Sequence, residues 1–265
     1  FSLLLRVYLQ PSYLYLCLAG VAVLVTVHTR ASVGLGAICA LGALGLVLMR
    51  YHRALSLSAI GIAISVFITH IGFHYAKFGM WLNLPGDKQV LTALDPNRAA
   101  WFAEHNNSFF SPDFLPTTMF HYLRPDTVGF ERLVPFVRFG PEAREFGVDL
   151  ESYTPSSSLT VSATGLVILA LIGMFHIVRR RQWFVWPLVA GGGVAAFPTL
   201  AIGFIAQRYL VDLLPVLVVL TAVAVLCWQD TSRVFMRISL AALLFWGAWA
   251  NSSFAAWLGN IQNPG

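Results

Sequence analysis

Residues 111–126 read SPDFLPTTMFHYLRPD, at the centre of a polar, aromatic and proline-punctuated stretch, residues 76–157, that separates two apolar blocks. Ten of the chain's 12 carboxylates fall within these 82 residues. The stretch also holds 14 of the 36 aromatic residues, which disordered segments avoid. We therefore expect a folded loop that carries nearly all of the chain's acid and base groups.

The apolar blocks on either side give the chain the composition of a membrane protein. The chain is 57% hydrophobic and 11% charged, whereas about a quarter of the residues of soluble proteins are charged. A transmembrane helix needs about 20 mostly apolar residues, and seven segments qualify. We predict an all-α integral membrane protein with three regions, 1–75, 76–157 and 158–265. Its seven transmembrane helices are expected at about 12–29, 32–49, 55–75, 159–178, 183–206, 209–228 and 234–258.

The arginines in the short connections predict the topology, because such arginines stay on the cytoplasmic side. Only Arg30 and Arg208 occupy short connections on the opposite side. We therefore predict a multi-pass protein of the plasma membrane with the long loop extracytoplasmic. This use of the basic residues gives no reason to expect a nucleic-acid partner. The arginines on the predicted cytoplasmic side are Arg6, Arg50, Arg53, Arg179, Arg180, Arg181, Arg233 and Arg237.

Within the loop, helix signals recur. Asp95 followed by Pro96 is a typical helix start, and Ser111 followed by Pro112 is another. Apolar residues at helical spacing predict a short amphipathic helix at 115–123, lying on the membrane surface. We expect a cap of short interfacial helices between the third and fourth transmembrane helices.

The first candidate site is the start of the sixth predicted helix, where Arg208, Tyr209 and Asp212 follow one another. Arg208 and Asp212 are spaced to pair across one helical turn. A guanidinium at the headgroup level is suited to bidentate binding of phosphate, with Asp212 holding it in place. The alternative is a structural ion pair that orients the helix.

The second candidate site is the loop centre, with Asp113, His121, Arg124 and Asp126. A carboxylate here could act as general base on a sugar hydroxyl, and Arg124 could neutralise an anionic leaving group. In the alternative, Asp113 and Asp126 are cap and turn residues and His121 is a polar residue at the membrane interface.

A metal site is the third candidate and has the least support. His70 and His74 lie one helical turn apart, but no further ligand pattern accompanies them. We predict no metal-ligating residues and no cofactor, and leave a requirement for a divalent metal open. No nucleotide-binding motif is present in the sequence.

Several short motifs together resemble the C-terminal half of large actinobacterial membrane proteins that are similar to GT-C glycosyltransferases. The motifs are NLP (83–85), FFSPDFLPTT (109–118), YLRPD (122–126), PSSSL (155–159) and RYLVDLLP (208–215).

The resemblance implies an enzyme that moves a sugar from a polyprenyl-phosphate donor to a cell-envelope glycan or lipid acceptor. Arg208 would then match the position that binds the lipid phosphate. GT-C enzymes place a catalytic Asp or Glu in the first extracytoplasmic loop, whereas the first such turn here, residues 27–31, has no carboxylate. The base is therefore expected upstream, in a longer protein of which this chain is a fragment, or the chain is not such an enzyme.

Two other functions are compatible with the sequence. A transporter or flippase for an envelope lipid would use the proline-containing fifth helix as its moving part and Arg208 with Asp212 as a gate. A structural subunit of an envelope complex would need none of these groups. All three functions require membrane lipids as partners.

Overall fold

The computed structural model describes residues 2–81, 86, 88–140, 146–228 and 234–262. This part of the chain is mostly helical. Its helices are α1 (Ser2–Leu9), α2 (Tyr13–Thr29), α3 (Ala31–Leu48), α4 (Arg53–Phe78), α5 (Val90–Leu94), α6 (Pro96–Glu104), α7 (Leu115–Leu123), α8 (Leu159–Ser162), α9 (Thr164–Arg180), α10 (Trp186–Leu200), α11 (Leu210–Trp228) and α12 (Val234–Gln262).

Five helical segments of the described chain are long and apolar enough to cross a membrane, which indicates a multi-pass membrane protein. The apolar helix α2 is shorter than this standard, at 17 residues. Helices form in all seven predicted segments, but the number of spans stays a prediction. The five segments are Ala31–Leu48, Arg53–Phe78, Trp183–Leu200, Gln207–Cys227 and Arg237–Gly259.

Two predicted boundaries were wrong. The segment predicted at 159–178 is two helices, α8 and α9, separated at Ala163. The helix predicted at 183–206 ends at Leu200, because the following residues form a strand, β4 (Phe204–Ile205). The predicted helix over 115–123 is confirmed as α7, and Asp95 accepts hydrogen bonds from the backbone N–H groups of Asn97 and Arg98, as expected of a cap.

Strands add a small β component to the predicted all-α fold. β1 (Val128–Phe130) and β2 (Val137–Phe139) form an antiparallel hairpin, with Val128 opposite Phe139 and Phe130 opposite Val137. β3 (Ser152–Tyr153) runs parallel to β4, with Ser152 opposite Phe204 and Tyr153 opposite Ile205.

The described chain forms two compact units, and neither is continuous in sequence. The first contains Phe1–Pro112, Arg180–Ile202 and Asp212–Val216. The second contains Asp113–Arg179, Gly203–Val211 and Leu217–Gly265. The long loop is therefore shared between the units at Pro112, and the division at residues 75 and 157 stays a prediction based on composition.

The first unit is centred on α3, which packs against α2, α4 and α10. Glycines allow the closest approach: a Cβ atom placed on Gly36 of α3 would overlap the carbonyl oxygen of Gly191 on α10. Small residues permit such contact between helices in membranes, where dispersion forces replace the hydrophobic effect. Leu41 and Leu44 are fully buried on the same helix.

In the second unit, the β1–β2 hairpin packs on α12. Val137 and Phe139 are buried there with Ala250 and Phe254, and the rings of Phe139 and Phe254 stack with centroids 4.5 Å apart. On another side of this unit, α7 is tied to the strand pair β3–β4. That region contains most of the residues predicted to be functional.

Candidate functional site

Three of the motifs found in the sequence meet in the second unit. They are the end of α7, the segment Tyr153–Thr160, and the segment Phe204–Tyr209 that leads into α11. The pairing of β3 with β4 joins the last two. The fully buried Tyr122 joins the end of α7 to the segment 204–209. Its hydroxyl donates to the carbonyl of Ala206 at 3.3 Å and accepts from the Ala206 N–H at 3.2 Å.

A turn of three buried serines, Ser156–Ser158, lies between these segments. The Ser157 N–H donates to the side-chain oxygen of Gln207 at 2.7 Å. Ser158 and the buried Thr127 bond to each other, through the Ser158 N–H and through both hydroxyls, at 2.9 Å in each case. Buried polar groups are costly unless they are paired, so these bonds fix the turn and the segment that carries Gln207.

Arg124 lies beside the serine turn, with its side chain 6% exposed. Its carbonyl oxygen accepts from the Thr160 hydroxyl at 2.9 Å, which fixes the backbone of α7's last residues. Its guanidinium Nε lies 3.3 Å from the Oδ1 atom of the exposed Asp126. Of the two predicted catalytic carboxylates, Asp113 and Asp126, Asp126 is therefore the partner of a buried cation, which partly neutralises its charge.

His121 is fully buried, with its ring edge-on to those of Tyr122 and Tyr153. Neither ring nitrogen makes a hydrogen bond of ordinary geometry with the described residues, although the Ser156 backbone lies near the ring. Burial, and secondly the charge of Arg124, lower the pKa of His121 from 6.5 to about 4, against smaller opposing effects of Ser156 and Asp126. His121 is therefore neutral at pH 7. Its side chain is enclosed by protein, and its position relative to the membrane surface stays a prediction.

Arg208 is exposed, in a single 3-10 turn (Gln207–Tyr209) immediately before α11. Its guanidinium carbon lies 5.7 Å from the ring centroid of Phe204 and 5.2 Å from that of Tyr209. These two rings contact each other, with centroids 5.7 Å apart, and a cation beside aromatic rings is favoured electrostatically. The residue before Arg208, Gln207, is the one held by the serine turn. The arrangement presents a guanidinium to solvent on a fixed segment of backbone.

Asp113 is exposed in a 3-10 turn (Pro112–Phe114) at the start of α7, whereas Asp126 follows its end. The nine residues of α7 span about 14 Å at 1.5 Å per residue. The two predicted catalytic carboxylates therefore lie at opposite ends of a helix.

Asp212 has a different partner from the one predicted. Its buried carboxylate lies in the first unit, where Oδ1 accepts from the Nε–H of Arg30 and Oδ2 accepts from the hydroxyl of Thr199 at 2.9 Å. The predicted pair with Arg208 is therefore corrected to a pair with Arg30. Sequence spacing missed Arg30 because it is 182 residues away, although it is a lone cation between two apolar helices.

His70 and His74 are buried in the first unit with ring centroids 5.9 Å apart, and His28 lies 5.7 Å from His70. Among the described residues, no group of three or more His, Cys, Asp or Glu side chains is placed to hold a metal ion.

The motif NLP at 83–85 lies outside the described residues. Comparisons with known protein families, with curated proteins and with solved structures gave no match to this chain. The second unit thus brings an exposed cation, Arg208, a buried cation, Arg124, and a neutral imidazole, His121, onto segments that are in contact although distant in sequence. Asp126 lies beside Arg124, whereas Asp113 lies at the other end of α7.

Proposed function

We propose that the chain is part of a membrane glycosyltransferase that moves a sugar from a polyprenyl-phosphate donor to a cell-envelope acceptor. The observation that carries the proposal is the exposed guanidinium of Arg208 on a segment fixed by Gln207 and Tyr122. A planar guanidinium matches the geometry of a phosphate group, and a fixed backbone reduces the entropy lost on binding.

In the proposed reaction, an acceptor hydroxyl attacks the anomeric carbon of the donor sugar. The new glycosidic bond forms as the bond from that carbon to the phosphate oxygen breaks, and polyprenyl phosphate leaves with the electron pair. Arg208 binds the phosphate group, and Arg124 contributes positive potential from its buried position beside Asp126. The ring of Tyr209 supports Arg208, and His121, being neutral, adds no second positive charge next to Arg124.

The acceptor's proton must go to a carboxylate. Asp126 is the weaker candidate for a base because its Oδ1 atom is directed toward the Arg124 guanidinium. Asp113 is the better candidate within the described chain. A carboxylate upstream of this chain, as the GT-C resemblance implies, is the alternative base. The reaction would take place on the extracytoplasmic side of the plasma membrane, as the distribution of arginines in the short connections implies.

One observation favours the rival function, a lipid transporter or flippase. The partly buried pair of Arg30 with Asp212 also involves Thr199, which follows Pro198 inside α10. Ion pairs within membrane-spanning segments often take part in transport, and a proline allows a helix to bend.

Native mass spectrometry of the detergent-purified full-length protein with a polyprenyl-phosphate sugar tests the proposal. We expect lipid adducts on the wild type and their loss in Arg208→Ala. Arg179→Ala is the matched control, because Arg179 is also exposed and also lies 5.8 Å from a ring, that of Phe175. Equal retention of the lipid by all three proteins, each folded, would remove the phosphate-binding role of Arg208.

Proteoliposomes containing the full-length protein and a donor with a radiolabelled sugar distinguish the enzyme from the transporter. An enzyme attaches the label to an added glycan acceptor and releases polyprenyl phosphate. A transporter moves the intact donor between leaflets and leaves the sugar–phosphate bond unbroken.

A further inference from the structure

The β1–β2 hairpin ends in an exposed apolar tip formed by Phe130, Leu133, Val134 and Phe136. Leu133 is 79% exposed and Val134 is 74% exposed. The tip is an ordered turn, because the Glu131 N–H donates to the Phe136 carbonyl at 2.8 Å and the Phe136 N–H donates to the Leu133 carbonyl at 2.7 Å. Exposed apolar clusters of this kind usually mark a contact surface.

The contacts with α12 show in which direction the hairpin points. Phe139, in the strand pair farther from the tip, contacts Phe254 and Trp257, with the Trp257 ring centroid 5.4 Å away. Phe130, in the pair nearer the tip, lies 6.3 Å from Trp246. Since Trp246 precedes Trp257 by about 16 Å of helix, the hairpin runs along α12 toward the helix's N-terminal half.

That half of α12 has the surface of a lipid-facing helix. Its exposed large apolar side chains are Ile238, Leu244, Phe245 and Trp249. Beyond Trp249 the exposed residues include the polar Asn251 and Ser252 and the small Ala255 and Ala256.

The rings of Trp246 and Trp249, whose centroids are 5.5 Å apart, lie at the change from apolar to polar surface. Tryptophan is enriched at the boundary between acyl chains and headgroups. Phe130 lies beside Trp246 of this pair, and the other tip residues continue past it.

We propose that the hairpin tip inserts into the lipid leaflet on its own side of the membrane, with Leu133, Val134 and Phe136 at the boundary of acyl chains and headgroups. This surface is continuous with the lipid-facing surface of α12. Insertion of about 5–10 Å is typical of interfacial apolar segments. The inference is independent of the glycosyltransferase proposal, because it concerns only the hairpin and α12.

The charges in the hairpin are compatible with this depth. Glu131 and Arg138 form an ion pair at 3.3 Å, so they present little net charge to the membrane. Arg132 is exposed next to Leu133 and can extend its guanidinium to lipid phosphates while its methylene groups stay among the apolar side chains.

Depth-dependent fluorescence quenching tests the proposal. Leu133→Cys, in full-length protein whose natural cysteines are replaced by alanine, is labelled with an environment-sensitive fluorophore. It is reconstituted in nanodiscs of phosphatidylcholine and phosphatidylglycerol. Glu104→Cys, at an exposed charged position of α6, is the control. We expect acyl-chain doxyl groups to quench the label at 133 and aqueous iodide to spare it, with iodide quenching the label at 104.

Two results would overturn the proposal. Iodide quenching at 133 as strong as at 104 would place the tip in water. Quenching by neither agent, with disulfide-linked dimers of unlabelled Leu133→Cys, would show that a second copy of the chain covers the tip. If Leu133→Cys does not elute as a folded protein, Val134→Cys provides the same measurement on the neighbouring tip residue.

Discussion

His121 illustrates how burial changes the chemistry of a residue. It lies on a helix whose exposed side carries Met119, Phe120 and Leu123, whereas Thr117, Thr118 and His121 face inward. The polar side of this helix is therefore inside, where the serine turn provides polar neighbours. An imidazole in such surroundings is neutral at pH 7, so it cannot act as a cationic ligand for phosphate.

The low pKa of His121 predicts a loss of stability in acid. The unfolded chain binds a proton at this site below about pH 6.5, whereas the folded protein does so only below about pH 4. Stability therefore falls as pH decreases through this window, by roughly 3 kcal/mol for this site. We expect His121→Phe, which keeps a ring at the site, to show a weaker pH dependence of the thermal unfolding midpoint between pH 6.5 and 4.

His52→Phe is the control, because His52 is exposed and its replacement should leave the wild-type pH dependence unchanged. A His121→Phe profile that follows the wild-type profile across the window would contradict the assignment.

The pair of Arg30 with Asp212 predicts coupling between residues 182 positions apart. Arg30→Gln leaves the Asp212 carboxylate, which is 4% exposed, with Thr199 as its remaining partner among the described residues, so we expect the protein to be destabilised. The loss should be smaller than the roughly 3–5 kcal/mol of a fully buried pair, because the Arg30 side chain is 43% exposed. Adding Asp212→Asn should recover part of it, as measured by thermal unfolding in detergent.

A double variant whose loss equals the sum of the two single losses would show that the two residues are independent. Asp126→Asn serves as a comparison, since it removes an exposed carboxylate whose cationic partner is Arg124.

At the scale of helices and strands, long apolar segments and local helix signals predicted most of the helices that form. Helices form in all seven long apolar segments, because such a segment in lipid must satisfy its own backbone hydrogen bonds. Helix α7 and the cap at Asp95 also follow from local sequence. The end of α10 at Leu200 does not follow from local sequence. Residues 204–205 are as apolar as the helix before them, but they pair with Ser152–Tyr153, a contact across 52 residues that local patterns cannot predict.

The site was predicted to a similar extent. The motifs YLRPD, PSSSL and RY were each identified, and Asp113, Arg124, Asp126 and Arg208 lie in the same unit. The burial of His121 and the serine turn were missed, because a polar residue gives no sign in sequence of which partners will enclose it. The partner of Asp212 was wrong for the same reason.

Packing of α3 on α10 predicts a sharp difference between two glycines. In Gly36→Ala the new Cβ would overlap the Gly191 carbonyl, and overpacking of this kind costs about 1–3 kcal/mol. Gly193→Ala, on α10 itself, has no neighbouring atom within 4 Å of the new Cβ. It should be neutral or stabilising by up to about 1 kcal/mol, because alanine favours helix.

Thermal unfolding of the two variants in the same detergent provides the comparison. Equal stability of Gly36→Ala and Gly193→Ala would mean that α3 and α10 do not approach as closely as the structure indicates.

At the scale of the whole molecule, chain segments far apart in sequence contribute to each unit. The residues of α11 are divided between the units, with Leu210–Val211 in the second and Asp212–Val216 in the first. The RYLVDLLP motif therefore continues from the segment that presents Arg208 into the one that holds the buried Asp212. A substitution at either residue is expected to affect a different unit, so binding at Arg208 and stability at Asp212 should be separable.

The most direct test of the account is to locate the bound donor. A polyprenyl-phosphate sugar with a photoreactive group beside its phosphate is irradiated with the full-length protein in membranes, and the labelled peptides are identified by mass spectrometry. We predict labelling within 204–209 that excess unlabelled donor prevents and that Arg208→Ala abolishes while Arg179→Ala does not. Labelling confined to other parts of the chain, or unchanged in Arg208→Ala, would contradict a phosphate site at Arg208.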